Sequence, residues 1–172
     1  MLIDLSELLS REDKEIRLSY NLEMEEFKVS NITYPVSAIR PIDLLIKGLG
    51  KKKVLIESDM DLLLNIPCDR CLEEVEVELN IKTSKETDLD DRNVDEDEKE
   101  EYLSGTSFDV EKFVYGEILV NLPMKTVCSE DCKGFCNRCG TNLNHGECGC
   151  DTTELDPRMA KALEVFNSFK EV

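Results

Sequence analysis

Eight cysteines stand at spacings that suit a metal. Six lie between Cys128 and Cys150, in CSEDCKGFCNRCGTNLNHGECGC; Cys68 and Cys71 form a separate C-x-x-C upstream, in PCDRCLEEV. Zinc takes four ligands in a tetrahedron, and cysteine thiolate is a favoured donor. Eight sulfurs therefore divide into two full sets. Cys136 and Cys139 make one ligand pair, with Gly140 where the backbone must turn tightly. Cys148 and Cys150 are the next pair downstream, close enough for one small loop to surround an ion with these four. Cys128 and Cys132 are then without local partners, as are Cys68 and Cys71. Joining them gives a second site that bridges distant parts of the chain. Spacing does not show spatial contact, and other partitions of the eight satisfy the same count.

The expected cofactor is zinc, at one or two tetrathiolate sites. Iron in a tetrathiolate uses the same ligands. Closed four-cysteine sites leave no open position for water or substrate, so hydrolytic chemistry is disfavoured. A redox-responsive alternative remains, because zinc thiolates can oxidise and release metal. His145 is read as a loop residue, since eight sulfurs already fill two sites.

Other catalytic patterns are missing. There is a single histidine, no H-E-x-x-H and no phosphate-cradling glycine loop. The start, MLIDLSELLSREDKE, lacks the basic flank and apolar stretch of a secretory leader, which points to the cytoplasm, where thiols stay reduced. In that compartment the cysteines read as metal ligands rather than disulfides.

The formal net charge is -17 over 172 residues, and each four-thiolate zinc would add about two negative charges. Such a field repels nucleic-acid phosphates. Direct contact with bare RNA or DNA is disfavoured by it, and a basic partner protein is easier to accommodate. The segment 126–150 sets Lys133 and Arg138 against Glu130, Asp131 and Glu147, with Phe135 as its one aromatic ring, a poor nucleic-acid reader. The basic cluster Lys51 to Lys53 reads as a solubilising turn.

The elements that must position the cysteines can be read from periodicity. Ile16, Leu18, Tyr20, Leu22 and Met24 alternate with polar residues, as do Ile32, Tyr34, Val36 and Ala38, where Pro35 suggests an edge or bulge. A strand from Ile42 to Ile46 ends at the turn signal Gly48-Leu49-Gly50. Two further alternating runs, Val54 to Ile66 and Val75 to Ile81, flank Cys68 and Cys71 and place them at a hairpin tip. With no Trp and few aromatics, the core is expected to be aliphatic and modest.

Residues 86–101 hold ten acidic side chains against Arg92 and Lys99, which predicts a disordered or solvated loop. The period then changes. Val110, Phe113, Val114 and Ile118 form the apolar face of a helix, with Asp109 as N-cap and Pro123 as the stop. A second helix is predicted at the C-terminus, with Asp156 as N-cap, Pro157 in the first turn, and a stripe of Met159, Leu163, Phe166 and Phe169. The expected fold class is α+β: a mostly antiparallel sheet with a C-x-x-C hairpin knuckle, a packing helix, a small cysteine-rich zinc-binding segment and a C-terminal helix. The expected division is a β-rich core over 1–84, an acidic loop over 85–107, a packing helix over 108–126, and the zinc-binding segment with its helix over 127–172.

PCDRCLEEV, FDVEKFVYGEILVNLPMKTVC, CKGFCNRCGTNLNHGECGC and DPRMAKALEVF together resemble the YceD family, the large ribosomal RNA subunit accumulation proteins. The resemblance runs from about residue 60 onward; the strand-rich first part is similar in pattern only. It implies a bacterial cytosolic protein without enzymatic activity, needed for accumulation of large-subunit rRNA. Combined with the charge, it points to a ribosomal protein or ribosome-assembly partner, with direct rRNA contact disfavoured by the net charge.

Overall fold

Alternation of apolar and polar residues over a long run produces the central strand of the molecule. In the computed structural model, which describes residues 1–9, 14–89 and 100–150 together with Met159, Lys161 and Phe166, β6 (Lys53–Pro67) turns Val54, Ile56, Met60, Leu62, Leu64 and Ile66 into the core. It precedes β7 (Glu74–Asp88), and the two pair antiparallel over their whole length, from Lys53↔Asp88 to Pro67↔Glu74. Before them come β1 (Leu2–Asp4), the helical turn α1 (Ser6–Leu9), β2 (Glu15–Tyr20), β3 (Glu26–Val29), β4 (Ile32–Ile39) and β5 (Ile42–Gly50).

The other edge of β6 is shared. Its first half, Lys53 to Asp59, pairs with β5, and Leu62 to Leu64 pair with β4. β2 extends the sheet beyond β5, and β3 beyond β4. Pro35 sits opposite Glu26 of β3, just outside the stretch of β4 that meets β6, and a bulge follows between Val36 and Ala38. A proline has no amide to give to a ladder, so this placement leaves the β4–β6 bonds intact.

The structure redraws several expected boundaries. The strand that begins at Ile42 continues through Gly48 to Gly50, and the turn falls on Lys51 and Lys52, both left-handed with φ of 51° and 64°. Pairing with β6 carries the strand past both glycines. β2 stops at Tyr20, and the alternation beyond it leads into β3, a strand that periodicity did not separate.

The expected loop over 85–107 is corrected on both sides. At one end β7 runs on to Asp88, held by its ladder to β6. At the other, β8 (Leu103–Ser104) and β9 (Ser107–Asp109) form a hairpin, with Gly105 at φ 59° in its turn. β1 pairs with β9, Ile3 opposite Phe108, which closes a small three-stranded sheet from the two distant segments. The most acidic residues, 90–99, lie outside the described residues.

α2 (Val110–Asn121) follows β9 directly. Asp109 caps it, its carboxylate accepting from the Glu111 N–H at 3.1 Å. Val110, Phe113, Val114 and Ile118 are buried as the stripe requires. Glu117 is buried among them, and it accepts from the Thr83 hydroxyl at 2.6 Å and pairs with Lys85, which fastens the helix to β7. The core is less aliphatic than composition suggests: the rings of Tyr102, Phe108 and Phe113 meet mutually, with centroids 5.1 to 5.7 Å apart. The predicted C-terminal helix lies outside the described residues except at Met159, Lys161 and Phe166, which are helical.

Candidate metal centres

The connection between β6 and β7 carries Cys68 and Cys71, and the segment after α2 carries the other six cysteines. The structure gathers them into two groups, Cys68, Cys71, Cys128 and Cys132 in one, and Cys136, Cys139, Cys148 and Cys150 in the other. Within each group all sulfurs lie within 4.8 Å of one another. In the first, Cys68 Sγ is 3.9 Å from Cys132 Sγ, and Cys71 Sγ is 3.5 Å from Cys128 Sγ. A disulfide needs about 2.05 Å, so these are four separate thiols. A tetrahedron of sulfurs at about 2.3 Å from zinc has edges of about 3.8 Å, and the two separations above, 3.9 and 3.5 Å, lie close to that. The donor set fits a tetrahedral, thiophilic ion such as zinc or iron.

The first group is assembled by bonds that each use a main-chain group on at least one side. The amide of Asp69 donates to the Thr126 carbonyl at 2.8 Å, and the Thr126 amide donates to Asp69 Oδ2 at 2.7 Å. The Arg70 guanidinium donates to the carbonyls of Glu130 and Cys132, each at 3.0 Å. Phe135 N–H returns a bond to the Arg70 carbonyl at 3.1 Å. That approach depends on Gly134, with φ of 74°: a Cβ there would lie 2.8 Å from the same carbonyl oxygen. The residues inside the C-x-x-C thus bind the far segment while its cysteines turn to the centre.

Donors to sulfur complete the site. Amides of Arg70 and Cys128 each reach Cys68 Sγ at 3.4 Å, and Asn144 Nδ2 reaches Cys132 Sγ at 3.3 Å. Burial pushes the Cys68 thiol up, but the amides of Arg70, Cys128 and Cys71 outweigh it and bring it down to about 6. For Cys71, a bond from the Glu73 amide favours the thiolate, yet burial and the three neighbouring thiols push it up to about 12. A cation at the centre relieves that crowding of negative charge.

The second group is more open, with Cys136 buried, Cys148 and Cys150 half-buried and Cys139 exposed. Its loop closes with Gly140 N–H to the Cys136 carbonyl and Cys136 N–H to the Thr141 carbonyl, both 2.8 Å. Gly140 takes φ of 73°, the tight turn expected after the second sulfur. The Thr141 hydroxyl and amide bring Cys139 down to about 6, while Cys139 itself is the main cause that pushes Cys150 up to about 12.

His145 belongs to neither group of sulfurs. Its Nε2 contacts Glu73 Oε1, which joins the second loop to the residue just before β7. Asn144 bridges too, its Oδ1 accepting from the Lys133 N–H at 2.7 Å while its Nδ2 serves Cys132. Sequence reasoning missed Asp69, Arg70, Gly134 and Asn144. For the three polar residues the usable signal was position: polar side chains inside or near a ligand pair are free to bind the opposite segment; for Gly134 it was a glycine between Cys132 and Cys136, where the backbone turns left-handed.

The family model for the large ribosomal RNA subunit accumulation protein YceD matches residues 56–166. An uncharacterized protein of Mycobacterium bovis is 30% identical over 102 residues, which cover 58% of this chain and 49% of that protein. An uncharacterized Mycobacterium tuberculosis protein matches with the same figures. The chain thus spans about half the length of these curated relatives. An Arabidopsis thaliana protein, the chloroplastic large ribosomal RNA subunit accumulation protein YCED homolog 1, is 33% identical over 48 residues, 28% of this chain and 15% of that one. No solved structure matches the chain. The family match runs from near the start of β6 through both cysteine groups and past them, and on that extent the chain belongs to the YceD family.

Proposed function

We propose that this chain supports accumulation of large-subunit ribosomal RNA as a non-enzymatic ribosome-biogenesis factor, with structural zinc in both cysteine groups. The observation that carries the reading is the family match over 56–166, which takes in the β6–β7 hairpin, α2 and all eight cysteines. Both sets of four thiols are complete, so an ion in either would have no free position for a substrate. A surface scaffold rather than a catalyst is the consequence. With a net charge of -17, the partner it suits is a basic ribosomal or assembly protein.

Depletion of the protein in its native cell should lower large-subunit rRNA relative to small-subunit rRNA, and the wild-type chain should restore the ratio. An unchanged ratio on depletion overturns the rRNA reading. Elemental analysis of protein isolated without added metal should find two zinc ions per chain. A coloured iron protein would instead establish the electron-transfer alternative. The redox alternative is favoured by one feature, the exposed Cys139 held at about 6. It requires peroxide to release metal from the second group at sub-stoichiometric doses while the first keeps its own.

A further inference from the structure

The longest open sheet edge belongs to β7. Its inner edge is fully paired to β6, and among the described residues no strand pairs with its outer edge. The orientation of the backbone follows from the ladder. Cys68 N–H donates to the Glu73 carbonyl, and Leu89 N–H to the Lys52 carbonyl, both at 2.8 Å. In an antiparallel pair such bonds recur at every second residue. The odd residues of β7 therefore face β6, and the even ones direct N–H and C=O outward. Arg40 N–H donates to the carbonyl of Asp61, an odd residue of β6, on the opposite edge, which agrees with this parity.

At the end of β7 nearest the cysteines, these even residues are Glu74, Glu76 and Glu78, all exposed. None of the three forms an ion pair among the described residues. Elsewhere on the same sheet four carboxylates are matched: Asp59 by Lys82, Glu57 by Lys47, Asp61 by Arg40 and Glu86 by Lys53, at 2.8 to 3.1 Å. Between the glutamates, Val75 and Val77 are half-buried on the other face.

We propose that the outer edge of β7 at Glu74–Glu78 accepts an extended peptide from a basic protein as an added antiparallel strand, with lysine or arginine at alternate positions. Backbone amides and carbonyls of the even residues supply the ladder, and the cationic side chains fall opposite the three carboxylates on the same face. The intervening positions meet Val75 and Val77, so the recognised pattern alternates basic and apolar. A second copy of this chain is the poorer occupant, because two chains of -17 repel one another. This gives a chemistry to the basic partner of the proposed function. It fails separately from it, because peptide binding is read without any measurement of rRNA.

The test uses the full metal-loaded chain and a short labelled peptide alternating lysine and valine. Binding should weaken at least about tenfold in the double variant Glu76→Lys, Glu78→Lys. Methylating the peptide nitrogens that face β7, which preserves charge, should weaken binding by a similar factor. Hydrogen exchange should slow at the amides of Glu74, Glu76 and Glu78 only when peptide is present. Equal binding of the methylated peptide would reduce the interaction to general electrostatics and overturn the proposal. So would slow exchange of those three amides in the free chain, which would mean that its own residues cover the edge. Protection that grows with protein concentration alone would assign the edge to a second copy.

Discussion

Asp69 and Thr126, 57 positions apart in sequence, are joined twice: each amide donates to an oxygen of the other residue, at 2.8 and 2.7 Å. This link ties the β6–β7 tip to the chain beyond α2 without using a sulfur. The first cysteine group is therefore held partly by the protein itself. Asp69→Ala leaves the amide of buried Thr126 without its acceptor and should cost about 1–3 kcal/mol. Chemical denaturation of the metal-loaded protein measures this, and an unchanged midpoint would show that the link is dispensable.

The grouping of sulfurs gives an asymmetric result for serine replacements. Cys68→Ser should remove metal from the first group and loosen the chain around Cys128, while the second group keeps its ion. Cys148→Ser should do the reverse. Elemental analysis and proteolysis read both, and loss of both ions from either variant would contradict two independent sites.

Gly134 is committed twice, by its left-handed φ of 74° and by the Arg70 carbonyl that a Cβ would meet at 2.8 Å. Gly134→Ala should destabilise the protein by about 1–3 kcal/mol from the backbone conformation alone. Gly146→Ala is the control, since its added Cβ would meet nothing within 4 Å. Thermal melts should separate the two.

Acid should release the metal. Ligation needs thiolates, and Cys68 and Cys139 are brought down to about 6 while Cys71 and Cys150 are pushed up to about 12. The low thiols favour their ionised form above that value and lose it as pH falls through about 6. The high thiols hold protons that an incoming ion must displace, so affinity rises with pH and loading releases protons. A colorimetric zinc indicator followed from pH 8 to pH 5 should rise as pH falls. Full retention at pH 5 would contradict thiolate ligation.

The site was legible in large part because ligand pairs are local. C-x-x-C at 68–71 and 136–139, the pair Cys148 and Cys150, and an even count of eight led to the same two groups that the structure brings together. The α2 stripe and its Asp109 cap were legible for the same reason, as both depend on residues within a few turns. The supports around the first group were not, because Asp69, Arg70, Gly134 and Asn144 act on partners far away in sequence.

By itself the sequence determined which residues are apolar at a strand or helix period, where the thiols cluster, and the acidity of the whole. Alternation reports that a strand has a buried face, and it is silent on which strand lies beside it. Only the tertiary structure decided that β6 shares one edge between β4 and β5, that β1 pairs with β9, and that residues 85–88 continue β7 rather than begin a loop. Those outcomes depend on hydrogen bonds between distant backbones, whose donors and acceptors are the same in every residue but proline.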